Sequence, residues 1–275
     1  MKTFTVALIQ MRCTADHEAS LREFEKSVRE AASRDARLIC GPELFYFDGD
    51  MQRVSHFAVT IPGPVIERLS AIARKHAVYL CPGTLPERRA EGKPYNTLLL
   101  FAPDGALIGK YRKRHLFRAD IPGELRHDER DYFLAGSEPA PVFETELGRL
   151  GATICYDLRF PEQFLRLSLQ GAEIILAPSA FTKPTGEAHW HVLCRARAVE
   201  TGCFILAPDR TGRCGADTER YGYSLIVDPW GAVLAEAGEG EEIITAELRA
   251  ESLADARRRL SSIEHRATGD SVPDP

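Results

Sequence analysis

The sequence predicts an α/β fold in which two sheets pack together with helices outside, built from two similar halves. Short apolar strands alternate with helical patterns along the 275 residues, as in layered sheets and helices. The same order of elements occurs twice. Four apolar strands also stop in the same way, on a proline, which removes a ladder donor.

In the first half the strands are Thr5–Ile9, Arg37–Cys40, Val78–Cys81 and Asn96–Phe101. Leu21, Phe24, Val28 and Ala31 recur at helical spacing between the first two. Ile66, Leu69, Ile72 and Ala73 do so before the third, after a Pro64 suited to a first helical turn. Ala102-Pro103-Asp104-Gly105 is a hairpin signal, and Ala106–Gly109 returns. The second half repeats this with strands Leu150–Cys155, Glu173–Ala177, Cys203–Ala207 and Tyr223–Val227. Its helices are Glu162–Leu169 and His189–Thr201. Asp228-Pro229-Trp230-Gly231 turns the fourth strand, and Ala232–Glu236 returns. The matched strand ends are Cys40-Gly41-Pro42-Glu43, Leu80-Cys81-Pro82-Gly83, Leu176-Ala177-Pro178-Ser179 and Leu206-Ala207-Pro208-Asp209. A strand-like Glu242–Glu247 and an Arg-rich helical Leu248–Leu260 follow. One domain over residues 1–262 and a polar, proline-containing tail over 263–275 are expected.

Composition removes several function classes. Hydrophobic residues are 44% and charged residues 27%, as in an ordinary soluble protein. Lysine and arginine number 35 against 40 acidic residues, a net charge of −5. This gives no basic footprint for nucleic acid and no polybasic membrane patch. The apolar run Val6–Ile9 is too short for a signal peptide, and no stretch reaches a membrane span, so a cytoplasmic protein is expected. The seven cysteines include no CxxC pair and mostly sit in apolar runs, where a reduced cysteine is a small hydrophobe. His189, His191 and Cys194 come nearest to a metal set, but residues two apart on a helix diverge, so no metal is expected. No Walker loop or GxGxxG follows a strand, so no cofactor is expected.

Ligands of α/β sheets bind beyond the carboxyl ends of strands. Cys155 and Glu43 end strands, and Lys113 follows the first hairpin. Position alone leaves Cys155 open as a nucleophile or as one more core thiol. A nucleophilic thiol needs a base and a nearby cation, which Glu43 and Lys113 could supply. The apolar surroundings of Gly41-Pro42-Glu43-Leu44-Phe45 should raise the glutamate pKa toward that of a usable base. Arg112-Lys113-Arg114 would ordinarily be a solvated basic run, but Leu116 and Phe117 suggest that it ends in the core.

With Tyr111-Arg112-Lys113-Arg114-His115-Leu116-Phe117, Gly41-Pro42-Glu43 and Cys155-Tyr156-Asp157-Leu158-Arg159-Phe160-Pro161-Glu162, the chain resembles the nitrilase superfamily of carbon–nitrogen hydrolases over about residues 4–265. The resemblance implies an α-β-β-α sandwich, in agreement with the repeat, and homodimers or larger homo-oligomers. It implies a catalytic triad of Glu43, Lys113 and Cys155, with Glu129 in the place of a second glutamate. The Tyr156 N–H would join Lys113 in holding an oxyanion. Pro178-Ser179-Ala180-Phe181, Ala188-His189-Trp190 and Arg195-Ala196-Arg197-Ala198 are most similar to the Nit-type amidases, the ω-amidase and deaminated glutathione amidase group. This implies a small amide substrate bearing a carboxylate, with Phe181 and Thr182 among the substrate-binding residues. Arg159 resembles the group's carboxylate-binding arginine; the alternative is a structural ion pair with Glu162 or Asp157. Departures are Tyr223 where the group has histidine, the Glu124–Phe133 segment, and Lys183-Pro184. Alternatives are an N-carbamoyl amino acid hydrolase or nitrilase on this fold, a Cys-His hydrolase using His115 or His189, and an assembly or regulatory protein with a vestigial site.

Overall fold

The computed structural model describes residues 1–47, 51–122, 125–214, 218–260 and 262–266. The first half runs β1 (Phe4–Gln10), α1 (His17–Ser33), β2 (Ala36–Cys40), α2 (Pro64–His76), β3 (Tyr79–Cys81), β4 (Thr84–Glu87), β5 (Tyr95–Phe101) and β6 (Leu107–Arg112). A hairpin of β7 (Arg118–Ile121) and β8 (Leu125–Asp128) follows, then β9 (Val142–Thr145). The second half runs β10 (Gly148–Ala152), α3 (Pro161–Leu169), β11 (Ile174–Leu176), α4 (Lys183–Thr201) and β12 (Phe204–Ala207). The hairpin β13 (Thr211–Cys214) and β14 (Thr218–Tyr221) precedes β15 (Leu225–Val227), β16 (Val233–Glu236), β17 (Glu242–Leu248) and α5 (Ala250–Arg259).

The internal repeat is borne out by pairing. In one sheet β1, β2 and β3 are parallel, β5 lies antiparallel on β3, and β6 folds back on β5. In the other, β10, β11 and β12 are parallel, β15 lies antiparallel on β12, and β16 folds back on β15. Each first strand has an antiparallel neighbour on its other side. For β10 this is β9; for β1 it is β17, which returns from the second half and ties the sheets together.

Strand alternation divides the core. Val6, Leu8, Leu38, Cys40, Leu98 and Leu100 join the core shared with the second sheet. The residues between them, Ala7, Ile9, Ile39, Leu99 and Phe101, pack on Leu21, Phe24 and Val28 of α1 and Leu69 and Ile72 of α2. Burying each such large side chain contributes about 1.5–3 kcal/mol, so the two apolar stripes fix the register. On the far side, Phe164 of α3 and Trp190, Cys194 and Ala198 of α4 cover the second sheet. The chain is therefore an α-β-β-α sandwich of two similar halves.

Several boundaries differ from expectation. The strand expected over Leu150–Cys155 ends at Ala152, and Cys155 opens a short 3-10 turn, Cys155–Arg159. Helix α4 begins at Lys183 and not at His189. Its first turn lacks apolar periodicity because small residues face β14; a Cβ on Gly186 would lie 2.1 Å from the Tyr221 ring. Leu248 belongs to β17 and not to the final helix. β4, β9 and the polar hairpins β7–β8 and β13–β14 are additions. Of the tail expected over 263–275, all beyond residue 266 lies outside the described residues.

Gly83 positions the Glu43 loop. Its φ is +95°, and a Cβ there would lie 1.8 Å from the Pro42 carbonyl oxygen. Gly83→Ala should cost more than about 2 kcal/mol and reduce turnover, as read from urea denaturation and ammonia release.

Candidate active site

The prolines that end the strands explain how loops from both sheets meet. Each gives up a donor, but its carbonyl still accepts. Cys155 N donates to Pro178 O at 3.0 Å, Ser179 N to Pro208 O at 2.8 Å, and Thr84 N to Pro42 O at 3.3 Å. The Ser179 carbonyl in turn accepts from Glu43 N at 3.2 Å and Arg210 N at 3.1 Å. The loops bearing Glu43 and Cys155 are thus laced to Pro178 and Ser179.

Lys113 lies just past β6, its backbone N–H donating to Asn96 O at 2.8 Å. Its ammonium reaches Glu43 Oε1 and Glu129 Oε2, both at 2.8 Å. Side-chain exposure is 2% for Lys113, 5% for Glu43 and 6% for Glu129, so all three charges are buried. Asn96 Nδ2 donates to Glu43 Oε1 at 2.8 Å and Glu129 Oε1 at 3.2 Å. Phe117 N donates to Glu129 Oε2 at 2.7 Å. Sequence reasoning missed Asn96. An asparagine inside an apolar strand, where a buried amide demands partners, was the available signal.

Electrostatics corrects one expectation. Burial does push the Glu43 carboxyl up, but Lys113, Cys155 and Asn96 hold it below its ordinary value. The raised carboxyl is Glu129, through burial, with Lys113 opposing and the Glu43 charge adding. Burial works against the Lys113 ammonium, yet Glu129 and Glu43 hold its pKa well above the ordinary value. Apolar neighbours were a poor guide because one cation 2.8 Å away outweighs them.

Cys155 sits at φ +46°. A non-glycine residue held there stores of order 1–3 kcal/mol of strain. Glu43, Lys113 and the Ala180 N–H all lie near enough to act on its thiol electrostatically. Burial first, then the Glu43 charge, push the thiol pKa well above normal, while Lys113 pulls it down. The resting pair is therefore a thiol beside a carboxylate.

A narrow pocket opens on Cys155, lined by Phe117, Tyr156, Arg159, Phe181, Thr182 and Thr185. Phe181 packs edge-on to Trp190 with centroids 4.8 Å apart, and its N–H donates to Asp209 Oδ1 at 2.9 Å. Thr182 Oγ1 lies 2.9 Å from Thr185 Oγ1. The Arg159 guanidinium stands 5.8 Å from the Tyr156 ring centroid and 5.6 Å from that of Phe181. Its Nη2 is 3.3 Å from His189 Nδ1. The ion pair of Arg159 with Glu162 or Asp157 does not form. Asp157 is fully buried and already engaged by Tyr111, His115 and Ile154 N.

The two histidines weighed as bases are placed otherwise. His115 turns Nδ1 to Asp157 Oδ1 at 2.6 Å, and its ring stacks on Phe160 at 3.7 Å. His189 is exposed beside Arg159. Among the described residues no group of three His, Cys, Asp or Glu could hold a metal, and no helix is long and apolar enough to cross a membrane.

The sequence pattern of the carbon-nitrogen hydrolases matches residues 5–258, nearly the whole chain. The chain belongs to the carbon–nitrogen hydrolase family. It is 36% identical to the deaminated glutathione amidase of Synechocystis sp. over 269 residues, 97% of this chain and 99% of the relative. It is 36% identical to omega-amidase NIT2 of Xenopus tropicalis over 260 residues, 94% of each chain. The crystal structure of Saccharomyces cerevisiae Nit3, a nitrilase-superfamily member, superposes with a TM-score of 0.86 at 33% identity, covering 94% of each chain. This carbon–nitrogen hydrolase is thus an amide-hydrolysing enzyme of the nitrilase superfamily.

Lys113→Ala would strand two buried carboxylates without their cation. Burial would then raise both pKa values above their unfolded ones. A raised carboxyl contributes stability at low pH and loses it as pH rises through the folded pKa. The deficit against wild type should therefore grow from pH 5 to pH 8, reaching about 3–5 kcal/mol, as urea midpoints will show. An equal deficit at both pH values would contradict the paired-charge reading.

Proposed function

We propose that this hydrolase acts on a small amide bearing a carboxylate, through a thioester on Cys155. The observation that carries the reading is the arrangement around that sulfur: base and ammonium on one side, and on the other an arginine that has no carboxylate partner among the described residues. Glu43 takes the proton of Cys155 as sulfur bonds to the amide carbon. The carbonyl electron pair moves onto oxygen. There Lys113 and the Tyr156 N–H receive it; two of the three ammonium donors already bind Glu43 and Glu129, leaving the third. The carbonyl re-forms, the C–N bond breaks, and the Glu43 proton leaves with ammonia. Water then gives a proton to Glu43 and adds to the thioester. The C–S bond breaks, the thiol recovers its proton, and the carboxylic acid departs. Both Glu129 oxygens accept hydrogen bonds, which suits a residue that keeps Lys113 charged and in place.

Because the resting sulfur is protonated, transfer to Glu43 accompanies attack. Phe181 and Thr182 form the wall that limits substrate size. Arg159 receives the distal carboxylate, whose oxygens match its donors. Exposed Val192 and Val199 on α4 support self-association into a homodimer or larger assembly. Cys40, Cys81, Cys155, Cys194 and Cys203 are reduced thiols, which supports a reducing compartment such as the cytoplasm.

Succinamic acid and butyramide, similar in size but with and without the carboxylate, separate the two parts of the proposal. Cys155→Ala should abolish ammonia release from both. Arg159→Gln should lower kcat/KM for succinamic acid about 10- to 100-fold, the worth of a hydrogen-bonded charge, and leave butyramide within about threefold. Equal losses on both amides would remove Arg159 from carboxylate recognition.

A further inference from the structure

Tyr111, Lys113 and His115 alternate along one segment. Lys113 enters the carboxylate site; the residues on either side both end on Asp157. Tyr111 Oη donates to Asp157 Oδ2 at 2.9 Å, and His115 Nδ1 lies 2.6 Å from Oδ1. Asp157 is fully buried and stands two residues after the nucleophile. It also closes the strained turn around Cys155 from both ends. Ile154 N donates to Asp157 Oδ2 at 2.8 Å, and Asp157 N donates to Ile154 O at 3.0 Å.

The donors are themselves held. Gln163 Nε2 donates to Tyr111 Oη at 3.1 Å, which directs the phenolic proton to Asp157. Burial and the Asp157 charge keep that phenol protonated far beyond its ordinary range. The His115 ring is fixed by its stack on Phe160, 10° from parallel.

We propose that Asp157 is a positioning residue for catalysis. Its one carboxylate holds Cys155 in its left-handed turn and locks that turn to the segment carrying Lys113. The reach from Lys113 Nζ to the reacting carbon is thereby set from behind the site, without contact with substrate. A displacement of about 1 Å between reacting groups can cost about 100-fold in rate, so a clamp of this kind acts on turnover and not on substrate affinity. The proposal rests on the roles given to Cys155 and Lys113 above.

The test compares Tyr111→Phe, Asp157→Asn, their double variant and Cys155→Ala. It measures kcat and KM for succinamic acid, the rate of Cys155 alkylation by iodoacetamide, and thermal melting. Tyr111→Phe should lower kcat about 10-fold and Asp157→Asn about 100-fold, with KM within about threefold and alkylation slowed in parallel. The double variant should be no slower than Asp157→Asn, because both changes release the same clamp. If Asp157→Asn does not fold, Tyr111→Phe still reads the clamp through kcat and alkylation. Wild-type kcat in a folded Tyr111→Phe, additive losses, or a rise in KM alone would overturn the proposal. Activity in Cys155→Ala would instead overturn the nucleophile on which it rests.

Discussion

One ammonium between two buried carboxylates organises this protein. Lys113 is 2% exposed, and neither Glu43 nor Glu129 could stay charged at such depth without it. Three distant segments must therefore arrive together: the end of β2, the end of β6 and the turn after β8. Asn96 adds a neutral donor that binds both carboxylates and lessens their repulsion. The result is a carboxylate held in its charged form next to a thiol that keeps its proton. That poise suits the proposed proton transfer coupled to attack.

The internal repeat shows why position alone left the role of Cys155 open. Cys13 follows β1 by three residues, as Cys155 follows β10, and it too is buried. Its sulfur donates to the Leu44 and Phe45 carbonyls at 3.5 and 3.0 Å. Cys13 thus lies against backbone carbonyls, whereas Cys155 lies by the buried carboxylate and ammonium of Glu43 and Lys113. Two equivalent strand ends thus hold thiols in different surroundings, and the difference lies in what the neighbouring loops bring.

Period-two alternation made the sheets legible, because one-residue slips in strands such as Thr5–Ile9 would expose their apolar faces. Glu43, Lys113, Glu129 and Cys155 were legible as a set through their motifs. Their contacts were not, since they depend on loops crossing between sheets. The hairpins β7–β8 and β13–β14 are built of four-residue strands, too short for any pattern in them to stand out. Asn96 passed unremarked, and Asp157 was considered only as an ion partner of Arg159, because each works through partners remote in sequence. Asp157 is 46 residues from Tyr111, and Asn96 is 53 from Glu43. The Glu43 pKa was misjudged for the same reason: its ruling neighbour lies 70 residues away.

The proposed mechanism requires the Cys155 sulfur to become acylated during turnover. Acid-quenching the enzyme while it consumes succinamic acid, followed by peptide mass spectrometry, reads that event directly. The Cys155 peptide should carry the mass of a succinyl group, in an amount that falls as substrate is exhausted. The acyl mass on another residue, or no adduct on Cys155 while ammonia accumulates under conditions that preserve thioesters, would contradict the account.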